Sequence, residues 1–300
     1  MLSTQRFLSS RFWEIHMTTI AVTGATGHLG RLVVDALIAR GAAPGDIVAA
    51  VRDTAKAADL AALGVQVRHA DYDTPSTLAA ALAGVDRLLL ISGNAVGQRV
   101  PQHTAVIEAA VSSGVGFIAY TSILRADSSP IGLAPEHLAT EQVIAASGIP
   151  FALLRNGWYT ENYAGSVAGA LHTGTIAGSA GNGRIAAATR ADYAEAAAAV
   201  LLAGSPGVYE LGGTPFTMTE FAAEVAKQSG RPVVYTDLPV AEYQAVLAGA
   251  GLPEAYAGLL ADTDFQITEG HLDTDSDDLV RLIGRPSTPL SEAVAALLKA

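Results

Sequence analysis

Thr23-Gly24-Ala25-Thr26-Gly27-His28-Leu29-Gly30 decides the fold. A short run of β-type residues, Ile20 to Thr23, leads into it, and a helical repeat of Leu29, Val33 and Leu37 leads out as far as Gly41. Gly24 suits the tight turn out of a strand. Gly27 lets the backbone approach a pyrophosphate with no Cβ in the way, and Gly30 lets the helix pack closely on the sheet. The peptide groups of Thr26, Gly27, His28 and Leu29 then face the phosphates of a dinucleotide, and the helix dipole adds to the attraction. A tight turn without a ligand uses the same glycines. The strand before, the helix after and a second βα unit favour the dinucleotide.

Outward from this loop, short strands alternate with helices. Strands are expected at Ile47 to Val51, Val65 to Ala70, Arg87 to Ile91, Val115 to Thr121, Phe151 to Arg155 and Val208 to Leu211. Thr74-Pro75 reads as the N-cap and first residue of a helix, Pro101 starts another, and a third runs from about Pro135 to Ser147. Such alternation implies right-handed crossovers and a parallel sheet, an α/β fold of the doubly wound Rossmann type. Gly165 to Gly183 is glycine-rich and reads as loops over the sheet, followed by an alanine-rich helix from Ala191 to Ala203. Thr217 and Glu220 have capping-box spacing for a helix that ends before Gly230. Three segments are expected: an unstructured extension over 1–16, a dinucleotide-binding domain over 17–211, and a smaller, mainly helical domain over 212–300 that caps the carboxyl edge of the sheet.

The extension contains Arg6, Arg11 and several serines but no apolar stretch of secretory length, and Glu14 argues against a transit peptide. Met17 directly precedes the first strand, the layout expected of an upstream start codon or of a remnant ahead of the natural start. Half of the 300 residues are apolar and 16% are charged, which excludes a disordered chain. The net charge of −11 disfavours nucleic acid and anionic membranes as partners, and no apolar run reaches the length of a membrane span. The absence of cysteine removes disulfides, iron–sulfur clusters, thiolate zinc sites and cysteine nucleophiles. The acid-rich stretch from Asp262 to Asp278 lacks the spacing of a calcium loop and reads as a solvated loop with helix caps, so no metal is expected.

The end of the second strand selects the cofactor. An acid there accepts bonds from the ribose of NAD, whereas a cation accommodates the 2′-phosphate of NADP. The chain reads Val51-Arg52-Asp53, with Lys56 one turn on. Arg52 directly follows the last apolar residue and favours NADPH over NADH, with Asp53 free to cap the next helix; a surface pair between the two is the competing account. Asp71, after strand three, is placed to meet the adenine amino group, and Ser92-Gly93, after strand four, to pass under the riboses.

The glycine spacing, Gly-x-x-Gly-x-x-Gly, is a variant typical of extended and atypical short-chain dehydrogenase/reductases. Most short-chain dehydrogenases protonate a carbonyl with Tyr-x-x-x-Lys, the lysine lowering the phenol pKa. The three lysines here, Lys56, Lys227 and Lys299, do not follow a tyrosine by four, and the expected helix reads Pro135-Glu136-His137-Leu138-Ala139-Thr140-Glu141. Carbonyl reduction and sugar epimerisation therefore lack their acid. Reduction of a quinone remains feasible, because the hydroquinone anion is a stabilised phenolate that water can protonate, and a triarylmethane cation needs no proton at all. His137 is a candidate polar donor near the acceptor, or an exposed helix histidine.

Several further stretches resemble the NmrA-like atypical short-chain dehydrogenase family and its NAD(P)H:quinone oxidoreductases. They are Gly64 to Arg68 with Asp71-Tyr72, Leu88 to Ser92, Gly97-Gln98-Arg99 with Gln102-His103, Phe117 to Ser122, Leu153 to Tyr159 and Ala188 to Tyr193. The stretch His137 to Glu141 is similar to triphenylmethane reductases of the same family. The resemblance runs from Met17 to the C-terminus. It implies NADPH as hydride donor without flavin, a quinone or similar planar acceptor in an interdomain cleft, and a cytoplasmic protein for which a homodimer is an open expectation. It also implies that Asn156, Gly157, Trp158, Tyr159, Glu161 and Asn162 meet the nicotinamide end. Asn156 and Asn162 suit the carboxamide, and Trp158 and Tyr163, with His137, are the expected acceptor residues. A redox sensor that binds NAD(P) and turns nothing over is the reading of another class.

Overall fold

The structure, a computed structural model, describes residues 18–299; the expectation for 1–16 lies outside the described residues. Seven strands form the main sheet: β1 (Ile20–Thr23), β2 (Ile47–Val51), β3 (Gln66–His69), β4 (Arg87–Leu90), β5 (Phe117–Ile123), β6 (Phe151–Asn156) and, after two short strands, β9 (Gly207–Leu211). Their order is β3-β2-β1-β4-β5-β6-β9, and every pairing is parallel. Alternate residues feed two apolar layers, as a sheet covered on both faces requires. Ile20, Val22, Ala49 and Val51 pack with α1 (His28–Ala39), α7 (Arg190–Ala203) and α11 (Asp278–Ile283). Ala21, Val48, Ala50 and Leu88 pack with α3 (Ser76–Leu82), α4 (Arg99–Ser112) and α5 (Ala134–Ala146) on the other face. A short helix, α2 (Ala58–Ala62), joins β2 to β3.

Several expected boundaries shift. Helix α4 begins at Arg99, with Pro101 inside its first turn, where a missing N–H costs nothing. Helix α3 begins at Ser76 with no side-chain cap. The Thr77 hydroxyl, not Thr74, accepts the Asp71 N–H at 2.9 Å. The larger correction concerns residues 165–183, which are not all loops. Most of them form α6 (Ala164–Thr173) and β7 (Thr175–Gly178), and β8 (Arg184–Ile185) follows directly. The glycines admit a neighbouring helix: a Cβ on Gly183 would lie 2.3 Å from the Ile267 carbonyl, and one on Gly178 would lie 2.7 Å from an Asp264 carboxylate oxygen.

That neighbour is α10 (Glu254–Thr268), part of a cap above the carboxyl edge. Both sides of residue 211 build the cap. Strand β7 pairs with β11 (Val234–Asp237), and β8 pairs with β10 (Phe216–Thr217). Helices α8 (Met218–Ser229), α9 (Val240–Gly249) and α12 (Leu290–Leu297) complete it. Helix α8 starts with the expected capping box of Thr217 and Glu220 and ends at Gly230. The cap has its own core, which includes Tyr163, Val167, Ile176, Phe221, Ile267 and Val294. The acid-rich stretch is corrected too: Asp262 and Asp264 lie within α10, and Asp264 is only 8% exposed.

Two constraints hold the site's framework. Gly24 turns out of β1 at φ +59°, and a Cβ on Gly30 would stand 2.3 Å from the Gly24 carbonyl oxygen and 2.8 Å from Ala25 Cα. Across β5, β6 and α5, Arg155 holds Glu141 through two bonds of 3.0 and 2.7 Å and also reaches Asp127 and Glu210. This contact keeps the Asp127 carboxyl below its usual range. Gly30→Ala should lower stability by about 2–3 kcal/mol through overpacking, read as a lower urea midpoint. Glu141→Ala should cost about 3 kcal/mol on the same curve, because it leaves Nε and Nη2 of a buried guanidinium without their partner. An unshifted midpoint in either variant contradicts the corresponding constraint.

Candidate active site

The carboxyl ends of β1, β2, β4 and β6 converge on one edge. At β1, Gly27 caps α1 with no side-chain bond, so the first turn presents peptide N–H groups with no protein partner on that side chain. Thr26 is half-buried and His28 exposed, whereas the Leu29 side chain is in the core and leaves only its peptide to the loop. At β2, Arg52 is exposed, and Asp53 caps the following turn by accepting the Ala55 N–H at 3.0 Å. The pairing of Arg52 with Asp53, the competing account, is not formed. Arg31, which the sequence reading passed over, joins this corner: its guanidinium contacts Asp59 and the Lys56 carbonyl. Asp71 is half-buried after β3, its carboxylate accepting the Asp73 N–H at 3.1 Å.

The turn after β4 is fixed from two sides. Ser92 N–H donates to Thr121 Oγ1 at 2.8 Å. Gly93 N–H donates to His103 Nε2 at 3.0 Å, and its carbonyl accepts from Arg99 Nε at 2.7 Å. Arg99 and His103 stand four apart on α4 and so share one face, a signal legible in principle from their spacing. His103 Nε2 accepts, so its proton lies on Nδ1 and is donated to Thr140 Oγ1 at 3.0 Å, while the Thr140 hydroxyl serves the Glu136 carbonyl. Burial, then the charge of Arg99, lowers His103 to about 3, which keeps this neutral form throughout the ordinary range.

At β6, Asn156 is buried, and its Nδ2 donates to the Tyr159 hydroxyl at 3.2 Å. Its Oδ1 is one of two buried side-chain polar atoms without a partner among the described residues; the other is the Tyr163 hydroxyl. An orphaned acceptor at a strand terminus, on the same sheet edge as a glycine loop shaped for a pyrophosphate, fits a nicotinamide carboxamide. Gly157 to Thr160 is pinned against 186–188, with Gly157 N–H bonded to Leu211 O and Thr160 N–H to Ala188 O. Tyr159 packs edge-on to Tyr193 beneath the Arg190 guanidinium. Glu161 and Asn162 are both engaged with Arg190 at the start of α7. The Glu161 carboxylate accepts the Arg190 N–H at 2.9 Å, and Asn162 Oδ1 accepts from the Arg190 guanidinium at 2.8 Å. Both hold the loop on α7.

Beside this edge lies a cavity of about 920 Å³ between sheet and cap. Asn94, Arg99, Trp158 and Asn162 line its sheet end, and Tyr163, Tyr243, Tyr256 and Asp264 line its cap end among aliphatic side chains. Trp158 and Tyr163 are therefore where an acceptor would meet them. His137 is not. It is 6% exposed, does not line the cavity, and its Nδ1 shares a hydrogen bond of 2.8 Å with the Tyr120 hydroxyl. Burial, reinforced by the charge of Arg99 and by His103, lowers it to about 3. It is neither a proton donor nor an exposed helix residue.

The missing Tyr-x-x-x-Lys acid has a structural counterpart. His137 and Glu141 have its spacing, and Glu141 is the carboxylate of the buried pair with Arg155. Ser122 spends its hydroxyl on the same carboxylate at 2.5 Å. At the cap end, Asp264 Oδ2 accepts the Ser179 N–H, and no hydrogen bond engages Oδ1. Burial raises this carboxyl to about 6 against the opposing Ser179 bond, and the like charge of Asp237 raises it further. Burial, with Asp264 next, pushes the Tyr163 phenol well above its ordinary value, so it remains an O–H. No described helix is long and apolar enough to cross a membrane, and the described residues include no group of three or more side chains able to hold a metal ion.

Residues 16–277 match the NmrA-like family. The chain is 53% identical to quinone oxidoreductase 2 of Escherichia coli strain K12 over 93% of its own length and 98% of that protein's. The crystal structure of the E. coli NADPH-dependent enzyme complexed with NADPH superposes with a TM-score of 0.90 at 52% identity, covering 93% of this chain and all of that one. Triphenylmethane reductase of Citrobacter sp., complexed with NADP(H), matches with a TM-score of 0.87 at 40% identity, again over 93% of this chain and all of the other. With the Rossmann sheet, the glycine loop and these likenesses in agreement, the chain belongs to the NmrA-like family.

Proposed function

We propose that this protein is an NADPH-dependent quinone reductase that transfers hydride directly, without flavin or metal. The observation that carries the reading is a juxtaposition: residues suited to a dinucleotide end at the mouth of an aromatic-lined cavity, in a chain 53% identical to a quinone oxidoreductase. The bound nicotinamide supplies the hydride. Gly24, Gly27 and the first turn of α1 hold the pyrophosphate, and Arg52 accepts the 2′-phosphate with Arg31 and Lys56 in the same corner. The turn at Ser92-Gly93, fixed by Thr121, His103 and Arg99, carries the riboses. Asn156 Oδ1, which lacks a partner among the described residues, would accept from the carboxamide. Trp158 and the tyrosines of the cavity bind a planar acceptor through its faces and exclude water.

The chemistry matches what this chain lacks. A simple ketone would yield an alkoxide and need a strong acid, and of the two positions of that acid one is His137, bonded to Tyr120, and the other is Glu141, paired with Arg155. A quinone yields a stabilised phenolate, so positioning supplies most of the rate. Oxidation of NADPH, followed by loss of the reduced nicotinamide absorbance with a quinone panel, tests the reading. Turnover that prefers NADPH to NADH is expected. Tight cofactor binding with no turnover would assign the protein to cofactor sensing instead.

Arg52→Glu should raise the KM for NADPH by about tenfold or more and leave that for NADH nearly unchanged, since a charge-assisted bond to phosphate is lost. Equal effects on the two cofactors would remove Arg52 from the phosphate site. Asn156→Ala should weaken NADPH binding by roughly 5- to 30-fold in calorimetry, the scale of one or two kcal/mol. Unaltered binding would place the carboxamide elsewhere.

A further inference from the structure

We propose that Asp264 is the acid that protonates the oxygen of the bound acceptor, and that the Tyr163 hydroxyl holds that oxygen in place. The inference rests on the quinone-reductase reading and supplies the proton donor that the Tyr-x-x-x-Lys positions do not. Three observations place it. Asp264 lines the cavity from α10, with one carboxylate oxygen on the Ser179 N–H and the other unbonded. Tyr163 is 7% exposed, lines the same cavity, and has a hydroxyl with no partner. Gly178 is what allows Asp264 to approach: any Cβ there would meet its Oδ2 and the Tyr235 ring.

The groups facing Asp264 suit an acid that cycles. Tyr163 comes from the turn before α6, Tyr243 from α9, and Tyr235 and Asp237 from β11. Tyr235 is engaged, accepting the Ala180 N–H at 2.8 Å and donating to Asp237 at 2.9 Å. The groups that act on the Asp264 carboxyl include no cation, so nothing there stabilises the carboxylate at the expense of the acid. A carboxyl titrating near 6 is protonated often enough at neutral pH to donate, and it releases its proton readily.

The step balances as follows. The acceptor gains two electrons and one hydrogen as hydride, and the donor cofactor is oxidised. The Asp264 O–H bond breaks as a new O–H bond forms on the acceptor's oxygen, giving the neutral hydroquinone and the Asp264 carboxylate. Water returns the proton to Asp264 after product leaves.

Binding tests this without turnover. The protein is saturated with NADP+ and titrated by calorimetry with a fully methylated benzoquinone and, separately, with its hydroquinone, between roughly pH 5 and 8. A quinone oxygen only accepts hydrogen bonds, so it prefers protonated Asp264, and its affinity should fall about fivefold as pH rises through the Asp264 titration. The hydroquinone donates to the carboxylate, so its affinity should rise over the same interval by a similar factor. Asp264→Asn keeps an oxygen for the Ser179 N–H and should flatten both trends. Tyr163→Phe keeps the ring on Phe221 and should weaken both ligands severalfold with the opposite trends intact. In turnover, the wild-type kcat should decline through the same pH interval to a plateau that Asp264→Asn shows at every pH. Parallel trends for the two ligands, or opposite trends that survive in Asp264→Asn, would overturn the proposal. Failure of either ligand to bind at any pH would instead overturn the quinone-reductase reading.

Discussion

All seven strands of the main sheet run the same way, and this single constraint sets where the chemistry is. Parallel strands must all end on one edge, so every crossover helix starts there and presents its unpaired N–H groups to the same side. The glycine loop gives that edge a backbone able to touch a phosphate, because α1 sits so close to β1 that no side chain fits at Gly30. Everything else at the edge is arranged around that fixed point. Thr121, His103 and Arg99 immobilise the turn after β4, and the strip at 186–188 immobilises the segment after β6. The site is held on the sheet side by bonds to its backbone, from buried side chains after β4 and from neighbouring backbone after β6.

The pair of Glu141 and Arg155 shows how a catalytic position becomes a structural one. In the spacing where a short-chain dehydrogenase places a lysine, this chain has a carboxylate with two short bonds to a buried guanidinium and a third from Ser122. A charged group so committed cannot also tune a phenol, and the two histidines nearby are held neutral by burial. The polar network between α4, α5 and β5 is thus closed on itself. It orders the cofactor edge and leaves the proton economy of the reaction to another part of the molecule.

Reading residues in order recovers whatever is local. The glycine loop, all seven main strands within a few residues of their ends, and the capping box at Thr217 follow from periodicity and turn chemistry over short spans. The exposed place of Arg52 at the end of β2 was legible because it directly follows an apolar strand. What the sequence concealed depends on distant partners. Glycines between 165 and 183 read as loop formers because the helix they accommodate, α10, is about 85 residues further on. Asp264 sat in an acid-rich stretch whose ordinary fate is solvent, and the approach of Gly178 and Ser179 from a distant segment places it against the cap. His137 erred in the reverse direction: its sequence neighbourhood suggested the site, and the Tyr120 hydroxyl turned it inward.

Asp264 also carries an energetic argument of its own. Its carboxyl is displaced from an ordinary 3.8 to about 6 in the folded chain, chiefly by burial. A folded value above the unfolded one means that the contribution to stability is complete below the unfolded pKa and is lost as pH rises through the folded one. At neutral pH the ionised group therefore costs on the order of 3 kcal/mol relative to an aspartate left in water. The Ser179 N–H offsets only part of the burial, no cation near it offsets the rest, and a neutral side chain of the same shape would avoid the cost altogether. A buried carboxyl held at that disadvantage, beside an unpartnered phenol and facing a cavity large enough for a planar ring, is arranged for proton exchange with a ligand rather than for cohesion of the cap.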